Sequence, residues 1–397
     1  MPSVPTTSLD LGDADVVADP YPHFARERSH HEVAWHEPSG TWLTFSHAAA
    51  GAVLRDRRLG RIWRDREPAA YLEPFNLLHR NQMMENEPPQ HTRLRRAVAS
   101  AFNRGHVERL RPRVQSLATE LLDGVDPVSF DVIGEYAEPL PVLVIAELIG
   151  LSGADVPVLR SWSQAIVRMY EPEPSTKVVD AAVTAATEFA DHVREHLDRR
   201  RTEPADDLTT DLLAAGLSDD ELVAAVVLLL NAGHEASVNV FGNGLVGLLR
   251  HGHVPADPQG TDLPVVVEEM LRFDSALQLF ERTATAPVEL GGVVVEEGQQ
   301  VAALLGAANR DPSVFADPDE FDPARRPNPH LAFGAGVHFC LGAPLARMEL
   351  TESLAALFTA YPDLQLAGEP RSRGTFVLRG HDEVRVSGSG PGPTSSG

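Results

Sequence analysis

Apolar positions recur every three or four residues along LRPRVQSLATELLDGV (110–125), DAAVTAATEFADHVREHLDRR (180–200) and DLPVVVEEMLRFDSA (262–276). That period places the apolar side chains on one helical face, so each stretch reads as an amphipathic helix against a core. A fourth pattern differs. After SDDE, where Ser218 and Glu221 form a capping box, LVAAVVLLLNAGHEASVNVFGNGLVGLL is apolar on nearly every face up to about residue 250. Such a helix runs roughly 48 Å at 1.5 Å per residue, long enough to cross a domain, and would be buried for most of its length. Its apolar run from Leu222 to Leu230 is broken by Asn231, Gly233, His234 and Glu235. That is too short for the roughly 18 apolar residues of a membrane span.

Alternating, strand-like pieces are short. They are EVAWH and TWLTF within 32–45, joined through Pro38, Ser39 and Gly40, then VELGGVVV (288–295), and TFVLRG with EVRVS (375–387). There is no internal repeat and no long linker; EPEPST (171–176) separates two helical patterns. The expected architecture is a mainly α chain with small β-sheets (α+β), forming one domain over 1–386, followed by a disordered tail, 387–397.

Composition excludes several classes. With 43% hydrophobic and 23% charged residues the chain is an ordinary soluble protein, and a net charge of −23 argues against nucleic acid as a ligand. Lys177 is the only lysine, so arginine carries nearly all the positive charge. One cysteine excludes an intrachain disulfide and a cysteine-built zinc cage. The first residues lack a basic region followed by an apolar one, and the expected location is the cytoplasm, away from membranes.

That cysteine sits in HLAFGAGVHFCLGAPLARMEL (330–350). A lone cysteine is most often a small buried hydrophobe. Here Gly334, Gly336 and Gly342 let a loop fold tightly around the sulfur, and Pro344 opens a helical pattern just after it. A thiol at a helix N-terminus facing backbone donors is expected to be favoured as thiolate. Such a thiolate attacks carbon or binds metal.

FGAGVHFCLG resembles the cysteine loop of the cytochrome P450 heme-thiolate monooxygenases, Phe-Gly-x-Gly-x-His/Arg-x-Cys-x-Gly. The resemblance implies heme b with Cys340 as axial ligand and metal site, Phe333 beside the sulfur, Gly342 completing the loop and His338 reaching a propionate. It extends to VVVEEMLRF, where Glu269 and Arg272 with Arg325 of FDPAR look like the family's structural lock. His91 and Arg95 of PPQHTRLRR and Arg282 of FERTA look like its propionate partners. AGHEAS is similar to the oxygen-activation motif: Ala232 and Gly233 leave room over the iron, and Glu235 is the acid that relays protons. Ala236 stands where the family usually has a hydroxyl, with Ser237 one step later. Ser237 lies about 100° further round the helix and is expected to point elsewhere or to bond back to the carbonyl four residues earlier.

The implied fold is the cytochrome P450 fold, a triangular-prism-like heme domain with a long central helix. The implied activity is hydroxylation or epoxidation of a sizeable hydrophobic small molecule, such as a natural-product intermediate. It would use O2 and electrons from a separate ferredoxin and NAD(P)H ferredoxin reductase. Alternatives are a peroxygenase or oxidative coupling catalyst on the same fold, a heme-binding protein without turnover, and a cysteine hydrolase using Cys340 and His338. By family position the substrate pocket is expected from Ile62, Trp63, Tyr71, Phe75, Met83, Val167, Tyr170, Leu228, Leu277, Gln278 and Phe376.

Overall fold

The all-round apolar pattern forms one helix, Asp219–Arg250. The structure is a computed structural model that describes residues 4–389 apart from 100, 101, 103, 172, 256 and 261. The capping box forms: Ser218 Oγ accepts from the Glu221 N–H at 3.3 Å, and the Glu221 carboxylate accepts from the Ser218 N–H at 3.0 Å. The same carboxylate accepts from Gln90 at 2.9 Å and pairs with Arg93, fixing the start of this central helix against the helix Gln90–Ala99. Helices Ala69–Arg80, Pro139–Ile149, Val156–Val167, Thr176–Thr202 and Leu263–Phe273 pack around it. It meets the length and hydropathy of a membrane span, but its apolar window is mostly buried inside the protein.

The other helical patterns also form, with shifted ends. The pattern at 110–125 starts earlier, giving Arg104–Asp123. It packs against the helix that follows the cysteine, Ala343–Ala360. The pattern at 180–200 extends back to Thr176, where Ser175 caps it by accepting from the Val178 N–H at 3.4 Å.

The sheet is larger and less terminal than the sequence indicated. Its order is Thr6–Thr7, Val33–His36, Thr41–Thr44, Gln300–Leu304, Leu279–Ala284, Leu59–Gly60. The hairpin Val33–His36 with Thr41–Thr44 and the ribbon Val288–Leu290 with Val293–Val295 are where the alternation put them. TFVLRG and EVRVS do not pair with each other. TFVLRG touches Leu277 through a single bridge at Leu378, and Arg385–Ser387 pairs instead with Ser129–Asp131 and Gln365–Leu366. The chain folds back one step further out: Arg371–Ser372 pairs antiparallel with His381–Glu383, and 375–380 lie in the connection, in which Arg379 is drawn to Asp274 at 2.8 Å and to main-chain carbonyls near the N-terminus. Of the segment 387–397 expected as a tail, Ser387 ends a strand and the Ser389 N–H and hydroxyl donate to Asp363 at 2.7 and 2.6 Å, while 390–397 lie outside the described residues.

Candidate active site

Glycine geometry sets the cysteine loop. Gly334 and Gly336 adopt φ of 67° and 71°, the left-handed region, and a Cβ on Gly336 would collide with the Leu54 carbonyl. The Cys340 N–H then donates to Phe333 O at 3.0 Å, closing the loop. Backbone N–H groups of Gly342 and Ala343 reach the sulfur. In the metal-free protein burial pushes the thiol up, and the backbone donors and the charges of Arg95 and Arg347 offset this only in part.

Cations converge beside the loop. The His91 ring lies 4.5 Å from that of His338, is 4% exposed, and its Nε2 has no partner. Burial and then the His338 and Arg95 charges lower its pKa to about 4. Arg95 donates to Phe339 O at 2.7 Å, and His338 Nε2 meets Glu87 at 2.8 Å. Arg282 is buried with only the Glu281 carbonyl as acceptor, at 2.8 Å, and burial and then Arg61 lower its pKa to about 10. Sequence reasoning missed Arg61, one arginine among many; its place is fixed by Glu85, with which it pairs, and by Glu87, which accepts its N–H at 2.7 Å. A buried thiol, an orphaned imidazole nitrogen and a nearly unpaired buried guanidinium fit a metal-centred group bearing carboxylates.

The lock is built as the resemblance implied, and it is no surface ion pair. Glu269 and Arg272 are both fully buried, joined at 2.7 and 2.8 Å. Glu269 also accepts from Arg325 at 3.2 Å, Asn328 at 3.1 Å and the Asp322 N–H at 2.8 Å. Arg272 and Arg325 donate their remaining N–H groups to carbonyls of 309–320.

On the central helix, Ala232 is exposed and Gly233, Ala236 and Ser237 are half-buried, while Asn231, His234 and Glu235 are buried. The helix therefore faces open space only around this turn. The Ser237 hydroxyl makes no hydrogen bond among the described residues, so of the two expected outcomes it does not bond back to the carbonyl four residues earlier. Glu235 Oε2 pairs with Arg373 at 2.6 Å; its Oε1 has no partner and lies 3.6 Å from His234 Nδ1. Burial lowers the His234 pKa to about 4.

A cavity of about 260 Å³ reaches Glu235, lined by Glu138, Arg160, Gln164, Val167, Arg373 and Asp382 among others. Most of its charges are paired: Arg160 with Glu138 at 3.1 Å, Arg373 with Glu235, and Arg371 with Asp382 at 3.2 Å. This cavity is polar, unlike the largely apolar pocket expected from sequence, and it is lined by mostly different residues. Of the expected residues Val167 lines the cavity, and Met83 and Leu228 share a small separate cleft. Tyr71 is 46% exposed and bonds Asp180 at 2.5 Å, because its helix turns it outward. Gln278 donates to Ser275 O at 2.6 Å under Gly306, and Phe376 packs on Phe24 with centroids 6.2 Å apart. Trp63 and Phe75 both stack on His79, whose Nε2 meets Tyr170 at 3.1 Å; Ile62 is exposed, and Leu277 packs beneath the sheet.

A glycine-framed buried thiol, carboxylate-seeking cations and a mainly helical fold around one long helix define a heme-thiolate oxygenase. The chain belongs to the cytochrome P450 family. The family model for cytochrome P450 matches residues 263–365. Cytochrome P450 monooxygenase PikC of Streptomyces venezuelae is 38% identical over 91% of this chain and 89% of its own. The 6-deoxyerythronolide B hydroxylase of Saccharopolyspora erythraea is 38% identical over 87% and 89%. Among solved structures, P450BioI in complex with hexadec-9Z-enoic acid ligated acyl carrier protein superimposes with a TM-score of 0.90 at 30% identity, covering 94% and 99%. The protein is a cytochrome P450 monooxygenase with a heme-thiolate cofactor.

Breaking the lock leaves buried guanidinium groups without an anion. Glu269→Ala is therefore expected to lower stability by about 3–5 kcal/mol, read by denaturant unfolding, whereas cutting an exposed pair such as Arg250 with Glu369 changes it by less than about 1 kcal/mol.

Proposed function

We propose that the enzyme hydroxylates or epoxidises a natural-product intermediate, sizeable and mostly hydrophobic, that carries a hydroxyl or carbonyl beside the carbon attacked. The observation that carries this reading is the pairing of a glycine-framed, half-buried thiol with a central helix whose otherwise buried middle opens at a turn where Ala236 offers no hydroxyl. When bound, heme b supplies the splitting of O2, one atom entering the substrate and the other leaving as water while two electrons and two protons are consumed. Cys340, held by the loop closure on Phe333, would supply the thiolate that holds the iron. His91, Arg95, Arg282 and His338, backed by Arg61, would hold the propionates, and that pairing would give the buried Arg282 guanidinium an anion.

Proton handling falls to Glu235. One oxygen is fixed by Arg373 and the other is unpartnered, available to a water that brings a proton. His234, neutral near pH 7, does not supply that proton. Ala232 and Gly233 keep the inner face of the helix clear. Ordering the last water, the usual work of a hydroxyl at position 236, passes to the substrate's own polar group. The polar cavity at Glu235 supports a functionalised substrate, and two relatives bear names that speak of a deoxyerythronolide hydroxylase and a nocardicin N-oxygenase.

Electrons come from a separate cytoplasmic ferredoxin and its NAD(P)H reductase. The arginine-rich stretch 91–113 is more neutralised than its sequence suggested. Arg93 pairs with Glu221, Arg111 with Glu108 and Glu352, and Arg113 with Glu120 and Glu147; the Arg104 side chain lies outside the described residues. Arg96 and Arg109 remain exposed, and Phe339, 42% exposed beside the cysteine, supplies an apolar centre.

Three outcomes are expected. Cys340→Ala loses the red-shifted Soret band of the reduced carbon monoxide complex; a normal band in that variant would remove the central claim. Arg96→Glu with Arg109→Glu slows ferredoxin-driven reduction and flattens its salt dependence, checked by stopped-flow, while peroxide-driven turnover is unchanged. With a macrolide aglycone that bears a hydroxyl next to the oxidised carbon, product per reducing equivalent is high. It falls by about two orders of magnitude for the deoxy analogue, and Ala236→Thr restores part of it. Equal coupling for both compounds excludes substrate assistance, and loss of coupling in Ser237→Ala alone moves the role to that serine.

A further inference from the structure

The helix Leu263–Phe273 carries a second carboxylate beside the lock. Glu268 precedes Glu269 and points about 100° away from it round the helix, so it serves the cysteine loop itself and not the segment before it. Arg347, one turn into the helix Ala343–Ala360, donates from Nε and Nη2 to the two oxygens of Glu268 at 2.5 and 2.9 Å. A two-pronged contact of this kind fixes the plane of the guanidinium. His330, where the loop begins, donates from Nε2 to the same carboxylate at 3.0 Å, and its Nδ1 accepts the Ala332 N–H at 3.2 Å, which assigns the proton to Nε2. Partial burial opposes a charge on Glu268, but the bonds from Arg347 and His330 outweigh it and hold the pKa down to about 2. The clamp is therefore ionised near neutral pH.

What the clamp presents is a flat cation on an aromatic ring. The Arg347 guanidinium carbon lies 4.5 Å from the centroid of Phe333, the residue that opens the glycine-framed turn and whose carbonyl accepts the Cys340 N–H at 3.0 Å. His330 flanks the same ring, with centroids 6.0 Å apart. Burial pushes the sulfur's pKa up, and the Arg347 charge is one of those that draw it back down, so that charge reaches the sulfur. A stack like this needs holding. The Arg347 side chain is 38% exposed, and a long side chain at such a site turns its head into water unless a partner fixes it. Glu268 is that partner, and it shares none of its contacts with the neighbouring Glu269.

We propose that Glu268 is a positioning residue: by gripping Arg347 flat on Phe333 it keeps a positive charge beside the Cys340 sulfur, and so sets how readily the sulfur-bound iron takes up an electron. This rests on the proposed role of Cys340 as the iron ligand. A cation held near the sulfur favours the added electron, so loss of the stack makes reduction harder. Glu268 is itself negative, and deleting a bare negative charge makes reduction easier. Positioning and bare charge thus require opposite signs from the same substitution.

The test measures the one-electron reduction potential of the heme-loaded, substrate-free protein by spectroelectrochemical titration with small mediators, so that no protein partner takes part. Arg347→Leu is expected to lower the reduction equilibrium constant about tenfold, a fall of about 59 mV for one electron. Glu268→Ala falls in the same direction by a similar amount, and the double variant falls no further than Arg347→Leu alone, because both substitutions remove one stack. Arg347→Lys, which keeps the charge but neither the fork nor the flat stack, lies between wild type and Arg347→Leu. A raised potential in Glu268→Ala overturns the proposal, as do an unchanged potential in Arg347→Leu and additive shifts in the double variant. If Glu268→Ala does not take up heme, the sign of the shift in Glu268→Gln, which leaves His330 an acceptor but breaks the two-oxygen fork, decides in its place. The reduced carbon monoxide spectrum is recorded alongside. Absence of the red-shifted band from the wild type is failure of the Cys340 assignment; a normal band with potentials that do not move is failure of the clamp.

Discussion

The carboxylate of Glu269 is the constraint on which the cysteine side of the molecule depends. It is wholly buried, and a buried charge is tolerated only when its acceptor sites are filled. Arg272 fills them from the same helix, while Arg325, Asn328 and the Asp322 amide fill them from the segment that leads into the cysteine loop. Arg272 in turn holds the carbonyls of Asn309, Pro318 and Glu320. An irregular stretch with little regular structure of its own is thereby given one path through space, ending at Gly334 and Cys340. Such a cluster need add no net stability over an apolar equivalent; it specifies position.

The opposite side is organised by a helix that is apolar enough to be buried and is broken where chemistry needs polarity. The break is narrow. Between buried Leu230 and buried Val238, Ala232 is exposed and Ala236 half-buried, and Glu235 turns the other way, toward Arg373 and the polar cavity. Small residues and an acid at adjacent helical positions necessarily face different directions, so one turn can keep space on one side and draw on water from another.

Much of this was legible in the sequence, and the limits have physical causes. The central helix, its capping box, the Glu269–Arg272 pair and the cysteine loop are each set by residues close together in the chain, and each forms where the pattern put it, whereas Arg325 joins that pair from 56 residues away. The strand Gln300–Leu304 was not read, because its alanines carry little strand preference, and Leu279–Ala284 was noticed only for Arg282. The polar cavity could not be read either. Glu138, Arg160, Glu235 and Arg373 come from four distant segments, and no local period announces that they meet. Side-chain direction within a helix is hidden for a related reason: spacing shows that Tyr71 and Phe75 lie on one helix, but not that one is turned to Asp180 and the other into a stack on His79.

His91 and His338 lie ring to ring although they come from opposite ends of the chain, and Arg282 and Arg61 join them from two more segments. Of these, the Arg282 guanidinium is buried with few acceptors, which opposes folding, and an anionic ligand that binds only there offsets that cost. By mass action, each tenfold rise in free ligand above its dissociation constant then adds about 1.4 kcal/mol to the folded state. Folding of this chain and binding of its cofactor are in that sense linked equilibria.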